Sequence, residues 1–182
     1  LSADAVARYR ADGFLAPIDA FSREEAAALR AEMEALEAAR GALHYQVKPH
    51  LVTMLADRIA HAPGVVAAIS AILGPDLLLW DTSFIVKEPR TESFVSWHQD
   101  LTYWGLDDAD GMVSAWLALS PATEETGCMR MIPGSHRGPV LSHQANGVFA
   151  GAIDPEDPLF ETDRAVTLTG KAGTGKTLLA LA

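Results

Sequence analysis

A histidine and an aspartate two residues apart, His98 and Asp100, are the residues of this sequence whose types and spacing are most informative about chemistry. Side chains alternate between the two faces of an extended strand, so this pair is predicted to point the same way, with Gln99 opposite. One imidazole and one carboxylate supply two ligands of a 2-His-1-carboxylate site, which holds Fe(II) and leaves positions open for O2 and a co-substrate. An isolated His-x-Asp pair is weak support, because most such pairs are ordinary surface residues.

The elements that must position this pair begin with helices. Ser2 precedes a helical pattern over Ala3–Ala11, and Ser22 and Glu25 have the spacing of a capping box at the start of a second helix. A third helix is predicted from Pro63 to Gly74. The apolar stripes of the second and third helices are predicted to consist of Leu29, Met33, Leu36, Val66, Ile69 and Leu73.

After these helices the hydrophobic period changes to two. In Leu78–Lys87, Leu78, Trp80, Thr82, Phe84 and Val86 share one face, and the opposite face is mixed polar. Further strands are predicted over Phe94–Leu101 and Met112–Leu119, and residues 137–164 are predicted to be a long, irregular loop. Helices followed by strands indicate an α+β protein with an antiparallel jelly-roll core, and a strand with one polar face suits a barrel that holds a polar ligand.

Composition narrows the class of protein. The chain has 182 residues, 49% of them hydrophobic, which is one domain by length and ample for a core. Its formal charge of −10 argues against nucleic acid or an anionic membrane as a partner. No apolar run approaches the roughly 20 residues that span a bilayer, and the start lacks a signal-peptide pattern. Cys128 is alone, so no disulfide framework is predicted. These features favour a cytoplasmic protein, and they leave the oligomeric state open.

Five short blocks give the His-Asp pair its context. They are Lys48–His50, Ser83–Pro89, Ser96–Gly105, Ala115–Leu119 and Glu125–Arg137, in that order. The series resembles the phytanoyl-CoA dioxygenase family of Fe(II)/2-oxoglutarate oxygenases, across roughly residues 1–164. This resemblance implies a double-stranded β-helix, a cupin-like jelly roll, preceded by helices, which agrees with the change of period. It predicts a β-helix that is incomplete at the C-terminal end of this sequence.

The resemblance also implies roles for individual residues. His98 and Asp100 match two iron ligands of the family, with the imidazole neutral and the carboxylate ionised when they bind metal. Lys48, Ser83 and Trp116 match positions that contact 2-oxoglutarate. A lysine offers a point charge, a serine a hydroxyl and a tryptophan an indole N–H to such a ligand. An exposed lysine, a strand serine and a core tryptophan are equally ordinary structural residues, so both interpretations of these three stay open.

The implied activity is that of an oxidoreductase. 2-Oxoglutarate and O2 are consumed, succinate and CO2 are formed, and a C–H bond of a small organic substrate is hydroxylated. Asp100 favours hydroxylation, because related halogenases have a small residue in place of this carboxylate. Tyr103 and Trp104, just past the ligands, are candidates for the wall of a substrate pocket. The identity of the substrate is not readable from these residues.

The last residues depart from this pattern. Gly170–Thr177 has a full Walker A pattern, between a strand-like Val166–Thr169 and a helix-like Leu178–Ala182, and this segment resembles the P-loop of a PhoH-like ATPase. A competing alignment with the dioxygenase family has a strand, a turn at Lys171–Gly173 and another strand. In that alignment the distal iron-binding histidine and the arginine for 2-oxoglutarate would follow Ala182, so neither is visible in the sequence.

These observations leave three functions open. The favoured one is an Fe(II)/2-oxoglutarate dioxygenase, a metal-binding enzyme that hydroxylates a small molecule. The alternatives are a P-loop nucleotide-binding fragment and a catalytically incomplete binding domain on the same scaffold. Residues 1–164 are predicted to form the dioxygenase-like domain, and residues 165–182 a strand and turn tail that is not a separate domain. The loop residue His143 is a remote candidate for a third ligand.

Overall fold

The helices that the structure describes lie mainly in the first half of the chain. The structure, a computed structural model, describes residues 1–91, 94–104, 106 and 111–141, together with the backbone of the later strands. The α-helices in this part of the chain are α1 (Ala3–Asp12), α2 (Arg23–Arg40), α3 (Met54–Ala60), α4 (Pro63–Leu73) and a single turn, α5 (Leu101–Trp104). Short 3-10 helices span Pro49–Leu51 and Ser135–Arg137.

The strands that the structure describes form three small antiparallel sheets. They are β1 (Asp81–Phe84), β2 (Val113–Ala118), β3 (Arg130–Met131), β4 (His143–Ala145), β5 (Ala150–Ile153), β6 (Val166–Thr167) and β7 (Lys176–Leu181). The largest sheet has the order β1-β7-β2, whereas β3 pairs with β6 and β4 with β5. Strands from the end of the chain, β6 and β7, therefore pair with the earlier strands β1, β2 and β3.

Side-chain caps begin the first two helices as the sequence predicts. The Ser2 hydroxyl accepts a hydrogen bond from the Ala5 amide at 3.2 Å. At the start of α2, the Ser22 hydroxyl accepts from the Glu25 amide at 3.1 Å, and the Glu25 carboxylate accepts from the Ser22 amide at 2.7 Å. Both caps satisfy amides that the helices leave without an internal partner, which confirms the predicted helix starts.

The β1-β7-β2 sheet has one face buried against the helices. Thr82 and Phe84 on β1 are 2% and 0% exposed, which confirms the predicted alternation within this strand. Phe84 packs in a cluster with side chains from α2 and α3, and Val113 of β2 packs with side chains of α4. The buried members of these two clusters are Met33, Leu43, Leu55, Ala56, Ile59, Phe84, Leu119, Ala60, Ala62, Val65, Ile69 and Val113.

Several predicted elements differ from the structure. The strand predicted over Phe94–Leu101 is wrong: residues 94–100 lie outside the strands of the described chain, and α5 begins at Leu101. Of the two alternatives for the last residues, the helix-like Leu178–Ala182 of the P-loop pattern is wrong, because Lys176–Leu181 forms the central strand β7, as the competing strand-turn-strand alignment predicts. The predicted loop at 137–164 contains β4 and β5.

Other differences are smaller. The first predicted strand is shorter than Leu78–Lys87, and α3 was not predicted. In α4 the buried residues are Val65, Ala68 and Ile69, whereas the predicted Val66 is half-buried. Within the described ranges no single helix is long and apolar enough to cross a membrane; α3 and α4, bent by 48° relative to each other, meet that test only when taken together.

Residues 134–137 close the C-terminal end of α1. The Gly134 amide donates to the Asp12 carbonyl at 2.8 Å, the His136 imidazole donates from Nε2 to the Arg10 carbonyl at 3.1 Å, and the Arg137 guanidinium donates to the Ala11 carbonyl at 2.7 Å. These carbonyls belong to the last turn of the helix and lack partners within it. The sequence-based assignment of His136 to a structural turn agrees with these contacts.

Gly13 makes this contact possible, and its replacement provides a test. Its φ is +83°, and a Cβ there would lie 2.3 Å from the His136 Nδ1 atom. We expect Gly13→Ala to lower the free energy of unfolding by about 3 kcal/mol, because it adds displacement of the His136 ring to the cost of a left-handed alanine. Gly134→Ala is the matched control, since its φ is +78° and, apart from Gly134 and its two chain neighbours, no described residue has an atom within 4 Å of where its Cβ would stand.

Chemical denaturation of both variants measures this difference. Gly134→Ala is expected to cost only about 1 kcal/mol, which is the backbone contribution alone. Equal destabilisation by the two substitutions would contradict the proposed packing of His136 against Gly13.

Candidate metal centre

His98 and Asp100 lie side by side in the structure. The His98 Nε2 atom is 3.1 Å from the Asp100 Oδ1 atom, and the two side chains are 31% and 32% exposed. The sequence predicted that these side chains converge, but through strand alternation. They converge instead from an irregular segment that leads directly into α5.

The main chain of the same segment fixes the orientation of the His98 ring. The His98 Nδ1 atom lies 2.8 Å from the Ser96 carbonyl oxygen, which can only accept a hydrogen bond. Nδ1 therefore carries the proton, and Nε2 is the nitrogen that faces Asp100. A histidine that ligates a metal through one nitrogen commonly donates from the other to a carbonyl in this way.

Each member of the His98–Asp100 pair favours the charged form of the other. The hydrogen bond with Asp100 raises the pKa of His98 above its ordinary value, although burial acts in the opposite direction. Burial is the largest single influence on Asp100 and raises its pKa, but the hydrogen bonds from His98 and Ser114 and the charge of His98 together hold that pKa below its ordinary value. An imidazolium and a carboxylate thus stabilise each other.

Asp100 is joined to the largest sheet by a serine that sequence reasoning did not single out. The Ser114 hydroxyl on β2 donates to the Asp100 Oδ2 atom at 2.6 Å. Ser114 lies two residues before Trp116 on the same strand, so both side chains occupy the same face. The period-two pattern of β2 predicts that Ser114 shares a face with Trp116. The sequence does not show that Asp100 lies within hydrogen-bonding distance of that serine.

Ser83 and Trp116 come together on this face. Both pair with Leu178 of β7, one from each side, and residues directly opposite in an antiparallel sheet share a face. Ser114 and Asp81 likewise both pair with Ala180. We call the surface formed by Asp81, Ser83, Ser114 and Trp116 the polar face of the sheet. Thr82 and Phe84 lie on the other face of the sheet. Asp100 is linked to the polar face by its hydrogen bond from Ser114.

Lys48, the third residue predicted to contact 2-oxoglutarate, lies on the other edge of β1 from β7. Its amide hydrogen is shared between the Thr82 carbonyl at 3.1 Å and the Asp81 carboxylate at 3.0 Å. Its ammonium lies 4.4 Å from the centre of the Trp80 ring, a cation–π contact. The structure thus brings Ser83 and Trp116 to one face and holds Lys48 at the edge of it. The roles of all three with 2-oxoglutarate stay predictions.

Gln99 anchors the other side of the His98–Asp100 segment. Its side-chain amide donates to the Pro139 carbonyl at 3.3 Å, and its carbonyl accepts from the Leu141 amide at 2.7 Å. The segment is therefore held from both sides by side-chain hydrogen bonds, to the loop at 139–141 and to β2. Trp104 lies half-buried on α5 immediately beyond. The proposed walls of a pocket at Tyr103 and Trp104 stay a prediction.

The adjacency and the donor types of the pair fit two ligands of one metal ion. The Nε2 and Oδ1 atoms lie 3.1 Å apart, which is the distance of a hydrogen bond, so an ion that binds both atoms would have to displace the proton between them. A neutral imidazole and a carboxylate are also the donor types of a non-heme Fe(II) site. Among the described residues no group of three or more His, Cys, Asp or Glu side chains completes a site, and the side chain of His143 lies outside that part of the chain.

Comparison with solved structures identifies the class of fold. The chain is similar to the non-heme monooxygenase ThoJ in its apo form, with a TM-score of 0.80 and 33% identity over 98% of this chain and 69% of that one. It is also similar to the nickel complex of ThoJ, with a TM-score of 0.71 and 31% identity over 98% of this chain and 76% of the other. The helices and antiparallel sheets described above are therefore those of a non-heme oxygenase fold.

The family itself follows from sequence comparison. The model of the phytanoyl-CoA dioxygenase (PhyH) family matches residues 9–175, and the chain belongs to this family. It is 28% identical to the ectoine dioxygenase of Bordetella parapertussis, over 96% of this chain and 66% of the relative. It is 28% identical to a probable alpha-ketoglutarate-dependent hypophosphite dioxygenase of Stutzerimonas stutzeri, over 69% of this chain and 45% of the relative. The chain thus spans less than two thirds of these relatives.

The two alternative functions find no support in these findings. A Walker A lysine stands at the start of a helix, whereas Lys176 begins the central antiparallel strand β7. The turn proposed at Lys171–Gly173 lies outside the described residues, but β6 and β7 on either side of it agree with the family alignment. The relatives named above carry the names of oxygenases, and none of them is named as a binding protein.

The charge pair predicts a specific pH dependence for the stability of the metal-free protein. A raised histidine pKa adds stability below about 6.5, and this contribution is lost as pH rises through the folded-state pKa of His98. A lowered aspartate pKa adds stability above about 4, and it is lost as pH falls through the folded-state pKa of Asp100. We therefore expect the stability difference between wild type and His98→Gln to be largest between about pH 4 and 6.5.

Urea unfolding in the presence of a chelator measures this difference at several pH values. Above the raised pKa of His98 the difference should shrink towards zero. His61→Gln is the matched control, because His61 and Asp57 form a similar pair at 3.2 Å but are 65% and 44% exposed, where an ion pair adds little. If the stability difference between wild type and His98→Gln grew as pH rises, the pKa of His98 would not be raised by its contact with Asp100.

Proposed function

We propose that the protein is an Fe(II)- and 2-oxoglutarate-dependent dioxygenase that hydroxylates a small organic molecule, with O2 as co-substrate. The observation that carries this proposal is the convergence of His98 Nε2 and Asp100 Oδ1 at 3.1 Å in a segment outside the strands of the described chain. Membership of the phytanoyl-CoA dioxygenase family supports it. So do the alpha-ketoglutarate dependence in the name of the hypophosphite dioxygenase and the metal in the ThoJ complex.

In this proposal His98 and Asp100 hold the iron. When bound, Fe(II) supplies a place where 2-oxoglutarate and O2 meet and the oxidising power for C–H hydroxylation. The protein's own groups prepare that place: the Ser96 carbonyl keeps the proton on Nδ1, so that Nε2 presents a lone pair once its own proton is released. The segment itself is held in place by the hydrogen bonds of Gln99 to residues 139 and 141 and by the hydrogen bond from Ser114 to Asp100.

The polar face is the proposed surface for 2-oxoglutarate. Ser83 and Trp116 share it with Ser114, and a hydroxyl and an indole N–H are donors that suit a carboxylate. Lys48 would have to turn its ammonium from Trp80 towards this face to reach the same ligand. The distal histidine and the arginine predicted by the family alignment would complete the site.

The finer description of the fold is part of the same proposal. We propose a double-stranded β-helix, a jelly roll in which the β1-β7-β2 sheet forms one wall and the helices cover its outer face; the antiparallel pairing and the two-faced burial support it. The pairing of β6 with β3 and of β7 with β1 and β2 supports the prediction that residues 165–182 are not a separate domain. The cytoplasmic location and the absence of nucleic acid or membrane partners stay predictions from composition.

An anaerobic titration tests the proposed function. Fe(II) and 2-oxoglutarate are added to the protein, and the visible charge-transfer band of the chelate is followed, with succinate formation measured after O2 is admitted. We expect Asp100→Ala to abolish the band and to lower 2-oxoglutarate turnover by at least about 100-fold, because it removes a negatively charged ligand.

Lys176→Ala is the control for the competing P-loop function. It removes the Walker A lysine and should leave the band unchanged. Succinate formation that survives Asp100→Ala would exclude the proposed site. Mg-ATP binding that is lost in Lys176→Ala would revive the nucleotide alternative.

A further inference from the structure

Ser114 occupies a fixed position beneath the proposed metal centre. It lies near the start of β2, which pairs with β7 along its whole length from Val113 to Ala118. The residues on either side of Ser114 belong to the opposite face, where Val113 is buried and Ala115 packs against the same cluster. The backbone that carries the Ser114 hydroxyl is therefore held both by ladder hydrogen bonds and by the core.

Asp100, in contrast, has no ladder to hold it. It lies in the segment that runs from residue 94 to the start of α5, outside the strands of the described chain. One turn of helix is too short to fix a side chain by itself. The 2.6 Å hydrogen bond from Ser114 to Oδ2 links this segment to the rigid part of the molecule.

The two oxygens of the carboxylate have different partners. Oδ2 accepts from the Ser114 hydroxyl at 2.6 Å, and Oδ1 faces His98 Nε2 at 3.1 Å. With one oxygen held in this way, the carboxylate cannot rotate about its Cβ–Cγ bond without losing the short hydrogen bond. Only Oδ1 is then presented to an ion that also binds Nε2.

A hydroxyl group is well suited to hold one oxygen of the Asp100 carboxylate. A serine donates one hydrogen bond without bringing a charge, so Asp100 keeps its full negative charge for a metal ion. An arginine or lysine in this place would offer a competing ion pair. Partners that hold a ligating carboxylate typically change metal affinity by about 10–100-fold when they are removed.

We propose that Ser114 is a positioning residue that holds Asp100 as a single-oxygen ligand of the metal ion. This inference rests on the proposed function, because it assumes that Asp100 binds the metal. It assigns to Ser114 a role in the affinity and the coordination geometry of the site.

Metal binding to the full chain tests this role without any need for the organic substrate. Calorimetric titration with Ni(II) is carried out on wild type, Ser114→Ala, Ser114→Thr and Asp100→Ala. We expect Ser114→Ala to raise the Kd for Ni(II) at least about 10-fold and Ser114→Thr, which keeps the hydroxyl, to stay within about threefold of wild type. Ser120→Ala, a half-buried serine just beyond the end of the same strand, is the matched control and should bind as wild type does.

The visible spectrum of bound Co(II) provides a second readout. Freed from Ser114, the carboxylate can bind through both oxygens, so the intensity of the Co(II) bands should change in Ser114→Ala and be restored in Ser114→Thr. Thermal unfolding of each metal-free variant establishes that it is folded before it is titrated.

The outcomes separate this inference from the proposed function. If Asp100→Ala loses Ni(II) binding but Ser114→Ala binds within twofold of wild type, the role of Ser114 is overturned and the proposed function stands. A Ser114→Thr variant as weak as Ser114→Ala also overturns that role. If Asp100→Ala binds Ni(II) as wild type does, the proposed function fails, and the inference fails with it.

Discussion

The β1-β7-β2 sheet has two chemically different faces, and the candidate site depends on this difference. Thr82 and Phe84 turn towards the helices and are almost fully buried, so the strands cannot slip by one residue without exposing Phe84 and burying Ser83. The same alternation that anchors the core therefore fixes Ser83, Ser114 and Trp116 on the polar face. Burial of apolar side chains contributes most of the stabilisation, and the position of the polar side chains follows from it.

The proposed ligands are not part of this ladder. His98 and Asp100 are carried by an irregular segment whose orientation depends on side-chain hydrogen bonds to Ser96, to Ser114 and, through Gln99, to residues 139 and 141. Such an arrangement lets two side chains meet at 3.1 Å without strand geometry, and it leaves the surrounding space for other ligands. In the metal-free protein each member of the pair favours the charged form of the other, which raises the pKa of His98 and lowers that of Asp100. A metal ion would then replace the proton on Nε2, so that binding and proton release are linked.

The features that could be predicted from the sequence are those set by local chemistry. Ser2 and Ser22 cap helices because their hydroxyls reach nearby amides, and β1 alternates because side-chain direction alternates along any strand.

The predictions fail where a partner distant in sequence decides the structure. Leu178–Ala182 is an apolar run that suits a helix or a strand equally well, and its pairing with both β1 and β2 makes it a strand. In α4, adjacent valines at 65 and 66 left the buried stripe uncertain by one residue. The contacts of Ser114 and His136 could not be predicted, because each joins segments that are far apart in the chain.

We propose that His98 binds a metal ion through Nε2 while Nδ1 donates to the Ser96 carbonyl oxygen. Proton NMR of the Co(II)-loaded protein tests this directly, since a ring N–H next to a paramagnetic ion gives a strongly shifted signal that exchanges with solvent. We expect such a signal from the Nδ1 proton of His98, and its loss in His98→Gln. A shifted signal that persists unchanged in His98→Gln, or the absence of any shifted exchangeable proton in the loaded protein, would exclude this role of His98.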